Sequence, residues 1–237
     1  MRNAILLFAG ALAPAFIGSA AEAVEPVSAV YWGFRAERAE VRLDDGVKLL
    51  ALDADAYVGT DELKLFLRNE SEYDLDENAF ETFENQLRLQ TPITPFFDLA
   101  AGVRIDAPKG PNRIDGVIGL HGLAPQWFEV DLDLFVSDDP VVRLEVDYEG
   151  LITNRLILTP SITVNLPLTD DARHDFGAFA PTVEIGARLS YDVIDRLFSP
   201  YVGVHYEAAF GETADLIQAG GGKRDELFLV AGAKVLF

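Results

Sequence analysis

Three histidines are all that this 237-residue chain contains, set among 39 aspartates and glutamates. Two of them stand where carboxylates can join them. His121 opens HGLAPQWFEVDLDLFV, in which a Gly-Leu-Ala-Pro turn leads into Phe128, Val130, Leu132, Leu134 and Val136 alternating with Glu129, Asp131 and Asp133. Folding back about Pro125 sets His121 opposite Glu129, with Asp131 on the same face. His205 and Glu207 are two residues apart in YVGVHYEAA, roughly 7 Å by strand rise. Imidazole and carboxylate together ligate divalent metal cations, so the candidate metal residues are His121, Glu129, Asp131, Asp133, His205 and Glu207. His174, in DDARHD, belongs to an exposed loop. The plainer reading of each histidine is a hydrogen-bonded or solvated side chain, because no cluster reaches the ligand density of a dedicated site.

Strict two-residue alternation places these side chains on β-strands, apolar residues on one face and carboxylates on the other. The pattern repeats in VKLLALDADAYVG, ELKLFLRNESEY, FENQLRLQ, FFDLAAGVRID, VRLEVDYEG, TVEIGARLSY and YVGVHYEAA. Weaker strands at Tyr31 to Leu43, Arg113 to His121, Leu156 to Leu166 and Glu226 to Phe237 bring the total to about twelve. Extending the parity assigns sixteen acids to the polar face: Asp53, Asp55, Glu70, Glu72, Glu84, Asp98, Asp106, Asp115, Glu129, Asp131, Asp133, Glu145, Asp147, Glu149, Glu184 and Glu207. Seven bases share it, namely Lys64, Arg68, Arg88, Arg104, Arg143, Arg155 and Arg188. Many of these must pair for structure alone, since like charges buried together are costly. The unpaired excess needs water, protons or counter-cations.

Composition narrows the partners. The formal net charge of -20 argues against nucleic acid or anionic lipid headgroups and points to cations. Cysteine is absent, so disulfides hold nothing here. MRNAILLFAGALAPAFIGSAAEA carries one basic residue, an apolar run and small residues suited to cleavage after Ala21 or Ala23. It reads as a cleaved signal peptide over residues 1–23, leaving one domain over 24–237. No later apolar run approaches the roughly 20 residues of a membrane helix, so any span must be built from strands. Short connections such as VGTDE, TPITPF and GLAPQW lie on one side, while LTDDARHDFGAF and GETADLIQAGGGKRD lie on the other. The fold expected is all-β: an antiparallel up-and-down transmembrane β-barrel of about twelve strands, in the cell outer membrane. A secreted β-sandwich has the same periodicity. It does not account for successive hairpins with one-sided loop lengths, which close a ring without an edge.

WGFRAERAEVRL, LDADAYVG, GLHGLAPQWFEVDLDLFVS, NRLILTPSITVNL, SPYVGVHYEAAFGETADL and LFLVAGAKVLF resemble the copper resistance protein B family (CopB/PcoB), bacterial outer-membrane barrels. The resemblance runs from about Tyr31 to Phe237. It implies an outer-membrane location and a role in handling periplasmic copper. Family members often carry a Met- and His-rich segment before the barrel, where VEPVSAV stands in this sequence. With Met1 the only methionine, soft thioether or thiolate ligation of Cu(I) is not available. Copper would then be held by histidines and carboxylates. Two functions follow: a barrel that handles or passes copper ions through an acidic lumen, or a non-conducting scaffold that docks periplasmic copper-resistance proteins. No catalytic motif is present, so no enzymatic activity is expected. On this orientation Leu132 faces lipid, and Asp133 is expected to tolerate an amide.

Overall fold

The computed structural model describes residues 29–44, 46–107, 112–194 and 196–237. The proposed signal peptide lies outside them. Twelve antiparallel strands follow one another: β1 (Tyr31–Asp44), β2 (Val47–Gly59), β3 (Lys64–Asp74), β4 (Ala79–Pro92), β5 (Phe97–Ala107) and β6 (Arg113–Ala124) form the first half. The second half is β7 (Phe128–Val136), β8 (Val141–Tyr148, resumed after Glu149 by Gly150–Leu151), β9 (Leu156–Pro167), β10 (Thr182–Tyr191), β11 (Phe198–Ala209) and β12 (Asp225–Leu236). Each pairs with its neighbour in sequence. The ring closes where β12 meets β1, with Val41 opposite Ala231 and Leu43 opposite Leu229. At the seam Phe34 and Phe237 exchange both backbone hydrogen bonds, at 3.1 and 2.8 Å.

Alternation decides which face is which, and it is inverted relative to a water-soluble fold. Leu65, Leu67, Leu87, Leu89, Val103 and Ile105 are exposed on the outside, while Glu84, Gln86, Arg88, Arg104, Asp115 and Asp133 are buried within. A solvated barrel would waste that apolar surface. In hydrocarbon it is the stable arrangement, because closure satisfies every ladder hydrogen bond and leaves no edge. Exposed aromatics gather at both rims: Trp32, Phe96, Trp127 and Phe237 at one, Phe80, Phe83, Phe179 and Phe210 at the other. Such girdles sit at membrane interfaces. Among the described residues no helix is long and apolar enough to cross a membrane.

The two ends differ as the connection lengths foretell. Three turns at one end share a device: Thr60, Thr94 and Thr153 each accept, through Oγ1, the backbone N–H groups two and three residues ahead. Arg155 belongs to the last of these turns and is exposed, so it leaves the luminal set. At the loop end, residues 168–181 fold inward and lean on α1 (Gly211–Ala219), a helix the sequence pattern did not reveal. Gly177 N–H donates to Thr213 Oγ1 at 3.0 Å, and Thr213 Oγ1 donates to the Ala180 carbonyl at 2.6 Å. A side chain at Gly177 would collide with Glu212, so this close approach requires glycine. His174 is buried rather than exposed, its Nδ1 2.5 Å from Asp171 Oδ2.

Candidate functional site

The lumen is filled by ion pairs across strands. Arg143 on β8 reaches Glu70 and Glu84 at 3.0 Å each and donates to Asn165 at 2.8 Å. Arg104 on β5 holds Asp115 at 2.5 Å and Glu84 at 3.2 Å, with its guanidinium 3.8 Å from the centre of the Phe135 ring. Arg188 grips Glu40 through two hydrogen bonds of 2.7 and 2.8 Å, and Tyr201 donates to the same carboxylate at 2.9 Å. Glu40, Glu84, Arg104, Asp115, Arg188 and Tyr201 are each under one-tenth exposed. Desolvated charges of this kind persist only when paired and hydrogen-bonded, and here the arginine forks supply both.

This network divides the interior into vestibules. At the turn end a cavity of about 290 Å³ is lined by Arg35, Asp55, Arg68, Arg88, His121 and Asp131. Towards the loops lies one of about 220 Å³, bordered by Glu72, Glu84, Arg143, His174 and Glu184. Between them lies a void of about 20 Å³, where Arg38, Asp53, Arg68, Glu129, Asp131 and Glu145 converge.

His121 stands in the turn-end vestibule. Its partner across the β6–β7 hairpin is Asp131, not Glu129. The hairpin turns on Pro125–Trp127 with Gln126 and Trp127 in the left-handed region, so the centre falls on Gln126 and shifts the expected pairing. Nδ1 of His121 lies 2.9 Å from Asp131, while Nε2 lies 3.1 Å from Asp133 and 2.7 Å from Arg88 Nη1. Arg88 in turn holds Asp133 at 2.6 Å, and Arg68 holds Asp131 at 2.9 Å. A side chain at Gly119 would collide with Asp133 and His121, so glycine opens this space. Glu129 is half-exposed and borders the same cavity, where its ion-pair partner is Arg35 at 3.6 Å. The cluster contains the expected ligand types, but arginines already occupy them.

His205 is arranged differently. It is 2% exposed. Its Nε2 lies 2.8 Å from Glu207 and 3.6 Å from Glu184, while its Nδ1 has no hydrogen-bond partner. One ligand atom from each of the three residues lies within 4.8 Å of the other two. Glu184 faces Glu207 directly across β10 and β11. The sequence placed Glu184 on the luminal face without joining it to His205, because the β10–β11 register was not legible.

Residues 30–237 match the family described as copper resistance protein B precursor (CopB). The chain belongs to the copper resistance protein B family. It is 33% identical over 212 residues to Copper resistance protein B of Escherichia coli, covering 89% of this chain and 71% of the relative. A homolog from Pseudomonas syringae pv. tomato is 31% identical over the same share of each chain. Among solved structures, NanC porin superposes with a TM-score of 0.56 at 12% identity, over 86% of this chain and 99% of the porin, a likeness of fold.

In this CopB-family barrel several luminal charges escaped the sequence pattern. Arg35, Arg38, Glu40 and Arg42 all sit on β1, where the register shifts between Ala36 and Ala39. A bulge there moves the inward face from odd to even positions, and a single-parity reading loses the whole strand. Arg42 is the costliest omission, since it holds Glu72 at 2.6 Å and Glu207 at 2.8 Å. Arg113 and Lys234 also face inward, close to Asp115 and Glu149. These bases supply partners for carboxylates that the single-parity reading left unpaired.

Proposed function

We propose that this chain is an outer-membrane barrel of a bacterial copper-resistance system that lets copper ions pass along its acidic lumen. Family membership supports the copper assignment, and the inverted apolar exterior with two aromatic rims supports the membrane location. The observation that carries passage is the disposition of acids: carboxylates line both vestibules and the constriction between them. A cation crossing this interior would exchange one carboxylate for the next, provided the Arg68 and Arg38 contacts at the narrow point open. Selection by rings of acidic side chains is a general device of cation pathways. Ligand chemistry favours Cu(II) over Cu(I), because neither methionine nor cysteine occurs after Met1.

A second reading is favoured by the constriction itself. If its ion pairs stay closed, the barrel conducts nothing and acts as a scaffold that docks periplasmic copper-resistance proteins. Liposomes holding a copper-quenched dye decide between the two. Passage predicts quenching after external Cu(II) only in vesicles containing the folded barrel. Equal quenching in empty vesicles supports the scaffold.

A further inference from the structure

We propose that Glu184, His205 and Glu207 form a coordination site for one divalent transition-metal cation at the loop end of the lumen. The proposal deepens the reading above and rests on it only for the identity of the ion. Three carboxylates run in register across three strands: Glu184 faces Glu207, and Glu207 faces Glu226. Like charges directly opposed on a sheet are destabilising unless a cation sits among them. Glu207 has Arg42, and Glu226 has Lys223 at 2.8 Å. Glu184 has neither arginine nor lysine among the described residues, and its one ion-pair partner is His205. The neighbouring Arg42 is committed to Glu40, Glu72 and Glu207, so its charge reaches Glu184 only at longer range.

The buried imidazole supplies the second argument. Nε2 of His205 is aimed between the two carboxylates, and Nδ1 is left without a partner in a ring nearly closed to solvent. Nδ1 diverges from the carboxylates, so Nε2 is the nitrogen placed to ligate an ion there, within 4.8 Å of an oxygen of each. Arg42 and His205 both contact Oε1 of Glu207, and among the described residues Oε2 carries no hydrogen bond, which leaves it available as a ligand. Access exists as well, since Glu184 and Glu207 both border a cavity of about 600 Å³ at the loop end. An ion arriving from that side meets the site before any luminal ion pair must open.

One imidazole nitrogen with carboxylate oxygens suits borderline divalent ions, Cu(II) binding tightest by the usual order of affinities, and is poorly matched to Cu(I). A metal would draw the three ligand atoms together from their present spacing. The His121 cluster lacks this opportunity because Arg88 and Arg68 already hold its carboxylates.

Titrating the purified full chain in detergent with Cu(II), followed by electron paramagnetic resonance, tests the site. One Cu(II) per chain with hyperfine coupling to a single imidazole nitrogen is expected. His205→Gln and Glu184→Gln should each lower the affinity at least roughly tenfold, and His121→Gln should leave it unchanged, with heat-modifiable gel mobility retained. Glu184 is partly exposed, so its variant carries the test if His205→Gln fails to fold. Unchanged affinity in Glu184→Gln, or loss of binding in His121→Gln alone, overturns the proposal. Binding that follows these variants in a barrel that quenches no vesicles leaves the site standing and refutes passage. Quenching without a Cu(II) site sensitive to Glu184 does the reverse.

Discussion

The His121 and His205 clusters have the same composition and opposite states. Each places an imidazole between two carboxylates on facing or neighbouring luminal positions. Around His121, Arg88 and Arg68 complete the charge balance, so every ligand atom has a partner and the group acts as a structural knot. Around His205, only Glu207 of the two carboxylates is paired with an arginine, Arg42, and a ring nitrogen has no partner. What separates a candidate metal site from a brace is therefore not ligand identity. It is whether arginines on the adjoining strands have already supplied the positive charge.

The sharpest way to break this contrast is to remove an acid from the knot. Asp133→Ala leaves Arg88 buried without its carboxylate and should cost about 3–5 kcal/mol in a lipid-refolding titration. The sequence pattern alone predicted tolerance even of Asp133→Asn. The structure reverses that expectation, because Asp133 is bonded to both Arg88 and His121. Retention of full stability would mean that the turn-end ion pairs are solvated rather than knotted. On the other face of the same strand, Leu132→Arg should cost about 2–4 kcal/mol by exposing a charge to hydrocarbon. Tolerance there would contradict the inverted orientation.

Smaller effects sharpen the comparison. His121→Ala strips Asp131 and Asp133 of a donor and should destabilise by about 1–3 kcal/mol. His205→Ala in the metal-free protein should cost less, since only one of its nitrogens is engaged. Equal costs would erase the distinction between knot and site. A local effect is expected at the loops. Burial tends to raise the carboxyl of Asp171, but His174 and Arg173 beside it hold it below the usual range. A depressed folded value stabilises the loop above the unfolded value of about 4, and that stability is lost as pH falls through the folded value. Residues 168–181 should thus resist an acid-tolerant protease at neutral pH and become cleavable as the pH drops below about 4. Resistance that does not change with pH would show that α1 alone secures the loop.

Most of the barrel was legible because a period of two, inverted between lipid and lumen, survives in every strand that pairs regularly. Leu132 and Asp133 stand on opposite faces for that reason alone. Legibility failed where the backbone departs from the period or where partners are distant in sequence. The β1 bulge hid Glu40 and Arg42, and the turn centred on Gln126 moved the partner of His121 from Glu129 to Asp131. Six candidate ligands therefore resolved into one saturated cluster containing His121, Asp131 and Asp133, a separate Glu129, and His205 with Glu207. Glu184 was missed as the third member because contact between β10 and β11 depends on a register that no local signal in the sequence marks.

The proposed passage rests on the carboxylates that line both vestibules and the constriction between them. Reversal potentials of single barrels in a planar bilayer under a potassium chloride gradient test it most directly, comparing the natural chain with one carrying Glu72→Gln, Glu184→Gln and Glu207→Gln. Cation selectivity in the first, with a reversal potential shifted towards zero in the second, is the result expected. Absence of conductance, or an identical reversal potential in both, would contradict it.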